Sequence, residues 1–203
     1  MIMTKTGSRL KRDKSLKDFW RTPQWTVKAT QIALSIEFNV DVACNKDNAL
    51  FPQFIGAEKD ALKCSWGESG TKAFLNPPYS KIEPWIDAAI REQSYGVTTV
   101  MLIPQSIDTK WYLKARKFAN EVVLIIGGRI AFLEPDVNLG FKESRENTGG
   151  SMLVVFRGHS GDVGCVVREI PITVMKEIGG YVPPVRAKRT AKTKPKKEYR
   201  SLV

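Results

Sequence analysis

Asn76-Pro77-Pro78-Tyr79 follows directly on the apolar run Ala73-Phe74-Leu75. These four residues are the part of the chain best equipped for chemistry. An amino nitrogen on an aromatic ring is a poor nucleophile, because its lone pair is delocalised into the ring. Two acceptors that grip its hydrogens can turn the lone pair toward an incoming electrophile. The Asn76 side-chain oxygen can be one acceptor. The Pro77 backbone carbonyl can be the other, since Pro78 holds the residue before it extended and away from helix. Tyr79 offers a flat face on which an extruded base can stack. The reaction such a set suits is methyl transfer to a planar amino or amide nitrogen. The plain alternative is a strand closed by a proline-rich turn, because Asn-Pro and Pro-Pro also punctuate ordinary loops.

The flanking elements decide between these readings. Thr22-Pro23 opens a turn into a helix, with Ala29, Ile32, Ala33 and Ile36 repeating at helical spacing. Phe38 to Ala43 reads as a short strand and residues 45–53 as a polar loop. Ile82, Trp85, Ile86, Ala89 and Ile90 mark an amphipathic helix, with Pro84 tolerable in its first turn. Val97 to Ile103 and Val122 to Ile126 are continuous apolar runs, as expected of strands buried on both faces of a parallel sheet. Thr109 to Ala119 between them is helical. Arg129 to Phe132 reads as a short strand, Glu134 to Gly150 as a long polar loop, and Ser151 to Phe156 as the last buried strand. Val166-Val167 and Ile172-Thr173-Val174 suggest one more strand or a short extension.

Strands alternating with helices predict an α/β fold, an open, mostly parallel sheet with helices on both faces. Ligands of such sheets sit beyond the carboxyl ends of the strands. Asp41, Asp60 and Asn76 all fall at or near strand ends, which would gather three polar side chains on one rim. Trp25 and Trp85 read as core residues. His159, the only histidine, follows the last buried strand in a Gly/Ser loop and is left out of the chemistry.

Several further motifs, in this order and spacing, resemble those of the phage-type (Dam-like) DNA N-6-adenine methyltransferase family. They are Thr22-Pro23-Gln24-Trp25, Asp41-Val42-Ala43-Cys44, Asp60-Ala61-Leu62 and Asn76-Pro77-Pro78-Tyr79-Ser80. Val100 to Pro104, Gly128-Arg129-Ile130 and Gly150-Ser151-Met152 continue the likeness, which covers about residues 18–157. The resemblance implies a Rossmann-like methyltransferase fold with an antiparallel last strand, and S-adenosylmethionine as cofactor. It implies that Thr22 and Pro23 lie beside the methionine end of the cofactor and Asp41 near its amino-acid or ribose end. Asp60 would accept from the adenine amino group of the cofactor, and Asn76 to Tyr79 would form the target-base pocket. One departure stands out: Asp41 is followed by Val-Ala-Cys-Asn, where the wider class carries a glycine-rich loop. No acidic residue ends a second strand to grip the ribose, and Asp47 and Asn48 are candidates by position alone.

Charge points to the substrate. The chain of 203 residues carries net +11, yet residues 1–21 hold +5 and residues 186–203 hold +7, so the middle is nearly neutral. Residues 1–19 read as a basic arm, 20–180 as the methyltransferase domain and 181–203 as a basic tail. Lys188, Arg189, Lys192, Lys194, Lys196 and Lys197 suit a nonspecific polyanion contact whose affinity falls as salt rises. Arg129 either contacts DNA or caps a strand. Double-stranded DNA is the expected partner, with base contacts from Glu134 to Gly150 and from the arms.

No run approaches the ~18 apolar residues of a membrane span, and no apolar leader opens the chain. Three scattered cysteines suit neither a disulfide framework nor a metal site. The expected location is the cytoplasm of a bacterial or phage-infected cell. Oligomeric state and recognition sequence are not legible. Two other readings remain open: transfer to another planar nitrogen (a cytosine amino group or a protein glutamine amide), and a DNA-binding protein that has lost catalysis.

Overall fold

The computed structural model describes residues 20–56, 58–136, 140–144, 147–160 and 164–184. The expected basic arm and the tail cations from Lys188 to Lys197 lie outside them.

Side-chain alternation decides which side of the sheet each strand residue covers. The described strands are β1 (Val40–Val42), β2 (Gln53–Ile55), β3 (Lys72–Leu75), β4 (Thr98–Pro104), β5 (Glu121–Ile126), β6 (Leu133–Asp136), β7 (Gly140–Glu143), β8 (Ser151–Phe156) and β9 (Val166–Pro171). Seven of them form one sheet in the order β2-β1-β3-β4-β8-β5-β9. In β3, β4 and β8, residues such as Leu75, Met101 and Val154 pack on one face, and their neighbours Phe74, Val100 and Leu153 on the other. Two cores result, one on each side. The first lies under α2 (Glu83–Ser94) and α3 (Lys110–Phe118), through Ile86, Ala89, Tyr112 and Ala115. The second lies under α1 (Gln24–Leu34) and α4 (Ile172–Gly179), through Val27, Ala29, Ile172 and Met175.

This is the α/β arrangement expected of a Rossmann-like methyltransferase. All neighbouring pairs in the sheet are parallel except those made by β8, which runs antiparallel to both β4 and β5. The expected antiparallel strand is therefore the last buried one, Ser151–Phe156, lodged between parallel neighbours. The chain then adds β9 at the sheet edge.

Five local readings are corrected. Residues 53–55, in part read as loop, form the edge strand β2, held by backbone pairing to β1 (Val42 opposite Ile55). The stretch read as a long loop contains the hairpin β6–β7, with Leu133 opposite Glu143 and Asp136 opposite Gly140. Its polarity misled because Lys142 pairs with Asp136 at 2.6 Å and Ser144 Oγ donates to Glu134 at 3.1 Å, so charged side chains hold it. Arg129 to Phe132 is not a strand; Ile130 and Phe132 plug the second core instead. Ile172-Thr173-Val174 opens helix α4, because Pro171 ends β9 and Ile172, Met175 and Gly179 recur at helical spacing. The apolar stripe read on α1 is also rotated. Ile32 is 50% exposed, whereas Thr26 and Thr30 are buried, and Thr30 Oγ1 donates to Thr26 O at 2.8 Å.

The α1–α4 contact fixes the start of α1, and with it the adjoining Thr22-Pro23. A Cβ at Gly179 would lie 2.3 Å from the Trp25 carbonyl oxygen, so only glycine allows this approach. Gly179→Ala is expected to destabilise the protein by about 1–3 kcal/mol, the range for overpacking a close contact. Urea unfolding checks this, and a midpoint equal to that of the parent would contradict the close packing.

Candidate active site

With β1, β3 and β4 parallel, their carboxyl ends share one rim, and antiparallel β8 begins there. A cavity of about 460 Å³ opens at this rim, within the range of small-molecule sites. Asp41 and Ala43 come to it from β1, Asn76 to Ser80 from the end of β3, and Pro104 from the end of β4. Trp20 to Thr22 close one side as the chain enters α1. Gly149 to Ser151 close another with little side chain, and Gln105 N–H to Gly150 O, at 2.9 Å, joins that segment to the end of β4.

Asn76 is held in one orientation. Its Nδ2 donates to Thr22 Oγ1 at 2.9 Å, which commits the amide nitrogen to the wall. Asn76 Oδ1 is buried and has no hydrogen-bond partner among the described residues. A buried unsatisfied carbonyl costs about 1–3 kcal/mol, so this acceptor suits a donor that arrives from the cavity. Pro77 is buried and Pro78 half-buried beside it. Tyr79 lines the same wall, its ring set edge-on to Phe132 with centroids 6.2 Å apart. Its hydroxyl donates to Leu102 O at 3.4 Å, and burial pushes the phenol above its ordinary range.

Asp41 is 3% exposed and accepts from Leu50 N–H at 2.8 Å. Burial outweighs that hydrogen bond and pushes its carboxyl from 3.8 up to about 6. The next residue but one, Ala43, has φ 65°, a left-handed turn that costs an L side chain about 1–2 kcal/mol. This turn stands where the wider class carries its glycine-rich loop. Cys44 Sγ donates to Asp41 O at 3.6 Å, and burial, with the nearby Asp41 charge, pushes the thiol up to about 12. It is therefore a neutral wall group, not a nucleophile.

The structure thus brings together Thr22, Asp41, Asn76, Pro77, Pro78 and Tyr79, with Asn48 but not Asp47 added to the wall. Pro23 does not line the cavity; it caps α1, its carbonyl accepting from Thr26 N–H at 3.0 Å. Asp60 also stands outside the wall. It is exposed, accepts from Leu62 N–H and pairs with Lys63 at 2.9 Å, which lowers its pKa. Arg129 is exposed, with Nη1 3.4 Å from Asn147 O at the cavity rim. His159 meets Ser69 at 3.0 Å near the opposite ends of the strands. Trp20, Arg21, Leu50, Phe132 and Asn147 to Ser151 are wall residues that motif reading did not single out as site residues. Gly149-Gly150 just before a buried strand was the signal for the last group. No local signal marked Trp20 and Arg21, since Arg21 reaches the rim by two backbone hydrogen bonds to Leu133, both 2.9 Å.

Among the described residues, no group of three His, Cys, Asp or Glu side chains could hold a metal ion, and no helix is long and apolar enough to cross a membrane. A family model described as DNA N-6-adenine-methyltransferase (Dam) matches residues 8–179. A protein of Haemophilus phage HP1 (strain HP1c1) named DNA N-6-adenine-methyltransferase is 31% identical over 156 residues, which span 76% of this chain and 85% of that protein. A protein of Escherichia phage T1 with the same name is 26% identical over 157 residues, spanning 70% of this chain and 64% of that one.

The raised pKa of Asp41 has a direction in stability. In the unfolded chain the group titrates near 3.8, whereas in the folded protein it holds its proton up to about 6. Its contribution is fully present below pH 3.8 and is lost as pH rises through about 6. Asp41→Asn keeps an acceptor for Leu50 N–H and removes the buried charge. It is expected to stabilise the ligand-free protein at pH 7 by about 2–3 kcal/mol, from ~1.4 kcal/mol for each tenfold change in proton affinity, and to flatten the pH dependence between about 4 and 6. Denaturant unfolding across that window checks it; a variant less stable than the parent at pH 7 would refute the account.

Proposed function

Because this chain belongs to the DNA N-6-adenine-methyltransferase (Dam) family, we propose that it transfers a methyl group from S-adenosylmethionine to the exocyclic amino group of a flipped-out adenine in double-stranded DNA. The observation that carries the reading is Asn76 Oδ1, a buried acceptor without a partner among the described residues, aimed by the bond from its own amide to Thr22. S-adenosylmethionine, when bound, supplies an electrophilic methyl carbon on a sulfonium sulfur.

The chain's own groups do the rest by positioning. Asn76 Oδ1 accepts one hydrogen of the adenine amino group, and the Pro77 carbonyl accepts the other. The lone pair then points at the methyl carbon. As the N–C bond forms, the S–C bond would break with its electron pair left on sulfur as a neutral thioether, and the surplus proton on nitrogen passes to water. Flipping the base out costs a few kcal/mol, and stacking on Tyr79 offsets ~1–3 kcal/mol of that.

Asp41, Asn48 and the backbone of Gly149 and Gly150 are the polar wall groups that fit the cofactor. Ionised Asp41 is a strong acceptor for its amino or hydroxyl groups. The Thr22 hydroxyl accepts from Asn76 Nδ2 and keeps its own hydrogen to donate, so it fits the carboxylate at the cofactor's methionine end while it holds Asn76. We leave Asp60 and Pro23 out of the cofactor contacts. Arg129 at the rim and the cationic tail supply sequence-independent attraction to phosphate, and the β6–β7 hairpin beside the cavity is placed to meet base edges. Such a substrate sets the place of work as the cytoplasm of a bacterial or phage-infected cell.

The direct test incubates the protein with tritiated S-adenosylmethionine and unmethylated double-stranded DNA, then identifies the labelled nucleoside. Label in N-6-methyladenine is expected; label in a cytosine derivative, or none, overturns the reading. Asn76→Ala is expected to abolish transfer while cofactor affinity measured by calorimetry stays within a few-fold. Thr22→Val frees the amide to rotate and should lower kcat about 10²-fold, the scale of a small misplacement. Thr22→Ser should restore most of that rate, and equal rates in the two variants would show that Thr22 does not orient Asn76.

A further inference from the structure

A second cavity, of about 320 Å³, adjoins the first and shares Tyr79 and Ser80 with it. Its other walls come from the chain entering α2 and from the first turn of α3, chiefly Lys81, Glu83, Pro84 and Trp111. Trp111 is half-buried and packs against the first core, so the indole is supported from behind. Lys81 is exposed and has no ion pair among the described residues. Glu83, the one acidic wall group, is faced by Lys114 at 3.7 Å, and Lys114 is also paired with Asp87. The wall therefore offers the Trp111 indole in addition to the shared Tyr79, one available cation and a screened acid. A flat base linked to an anion is the ligand that matches this set. Two such cavities side by side, with Tyr79-Ser80 between them, match two consecutive nucleotides of one strand.

We propose that this cavity takes the nucleotide next to the target adenine on the same strand, its base stacked on Trp111 and its phosphate against Lys81. The proposal rests on the reading of the first cavity as the target-adenine site. Stacking on aromatic side chains tolerates any base, because every base has a π-face. The site would thus add affinity for the extruded strand without adding to the sequence read.

The test measures methylation of unmethylated bacterial genomic DNA by the full chain, with S-adenosylmethionine affinity measured separately. Trp111→Ala should raise the KM for DNA about tenfold, leaving cofactor affinity and kcat at saturating DNA near those of the parent. Trp111→Phe should recover most of the loss. Lys81→Ala should weaken DNA binding and reduce the slope of log affinity against log salt by about 1. If Trp111→Ala does not fold, Lys81→Ala decides the matter. An unchanged KM and an unchanged salt slope in the folded variants overturn this site while leaving the methyltransferase reading intact. A parent protein that binds cofactor yet never labels DNA overturns both.

Discussion

The hydrogen bond from Asn76 Nδ2 to Thr22 Oγ1 joins residues 54 positions apart in the chain, and both of its ends are fixed by the fold. Asn76 cannot shift along the rim, because β3 is paired on both sides, to β1 and to β4, and Pro77 and Pro78 end the strand. Thr22 cannot withdraw, because Arg21 is bonded to Leu133 and α1 is wedged against α4 at Gly179. An amide can present either its oxygen or its nitrogen to a ligand. Committing the nitrogen to Thr22 leaves the oxygen as a buried acceptor without a partner among the described residues, which is what a donor such as an amino group requires.

The electrostatics of the cavity follow from its burial. Asp41 is expensive to ionise there, Cys44 stays neutral, and the left-handed turn at Ala43 adds strain beside them. The buried carboxylate and the strained turn cost stability in the ligand-free protein, and both stand where a ligand could offset that cost. Strain and unsatisfied polar groups concentrate at functional sites for this reason. The exposed Asp60–Lys63 pair, by contrast, is already satisfied and has little to gain from a ligand.

Access also has a structural logic. The second cavity meets the first at Tyr79, a residue tied to Phe132 on one core and standing close to α2 and Trp111 on the other side. The hairpin β6–β7 is tied to the segment after α4, where Tyr181 Oη donates to Glu143 at 3.1 Å.

The apolar runs and their breaks determined the sheet by themselves. Ala73 to Leu75, Val100 to Ile103 and Ser151 to Phe156 are too apolar to lie anywhere but between two helical layers, and Asn76-Pro77-Pro78 ends its strand whatever surrounds it. Asp41 and Asn76 were legible as neighbours on one rim because parallel strands bring their carboxyl ends together, whereas Thr22 was pointed to only by the family resemblance. Local pattern failed where long-range contacts outweighed it. The polar hairpin is held by ion pairs that no periodicity reveals, Ile172 to Val174 became helix because Pro171 closed the strand before them, and Asp60 found Lys63 in place of the cavity. Only the tertiary structure decided which way the Asn76 amide faces. That orientation depends on a hydroxyl 54 residues away, and a hydrogen bond across that separation exists only after the sheet and both helical layers have formed.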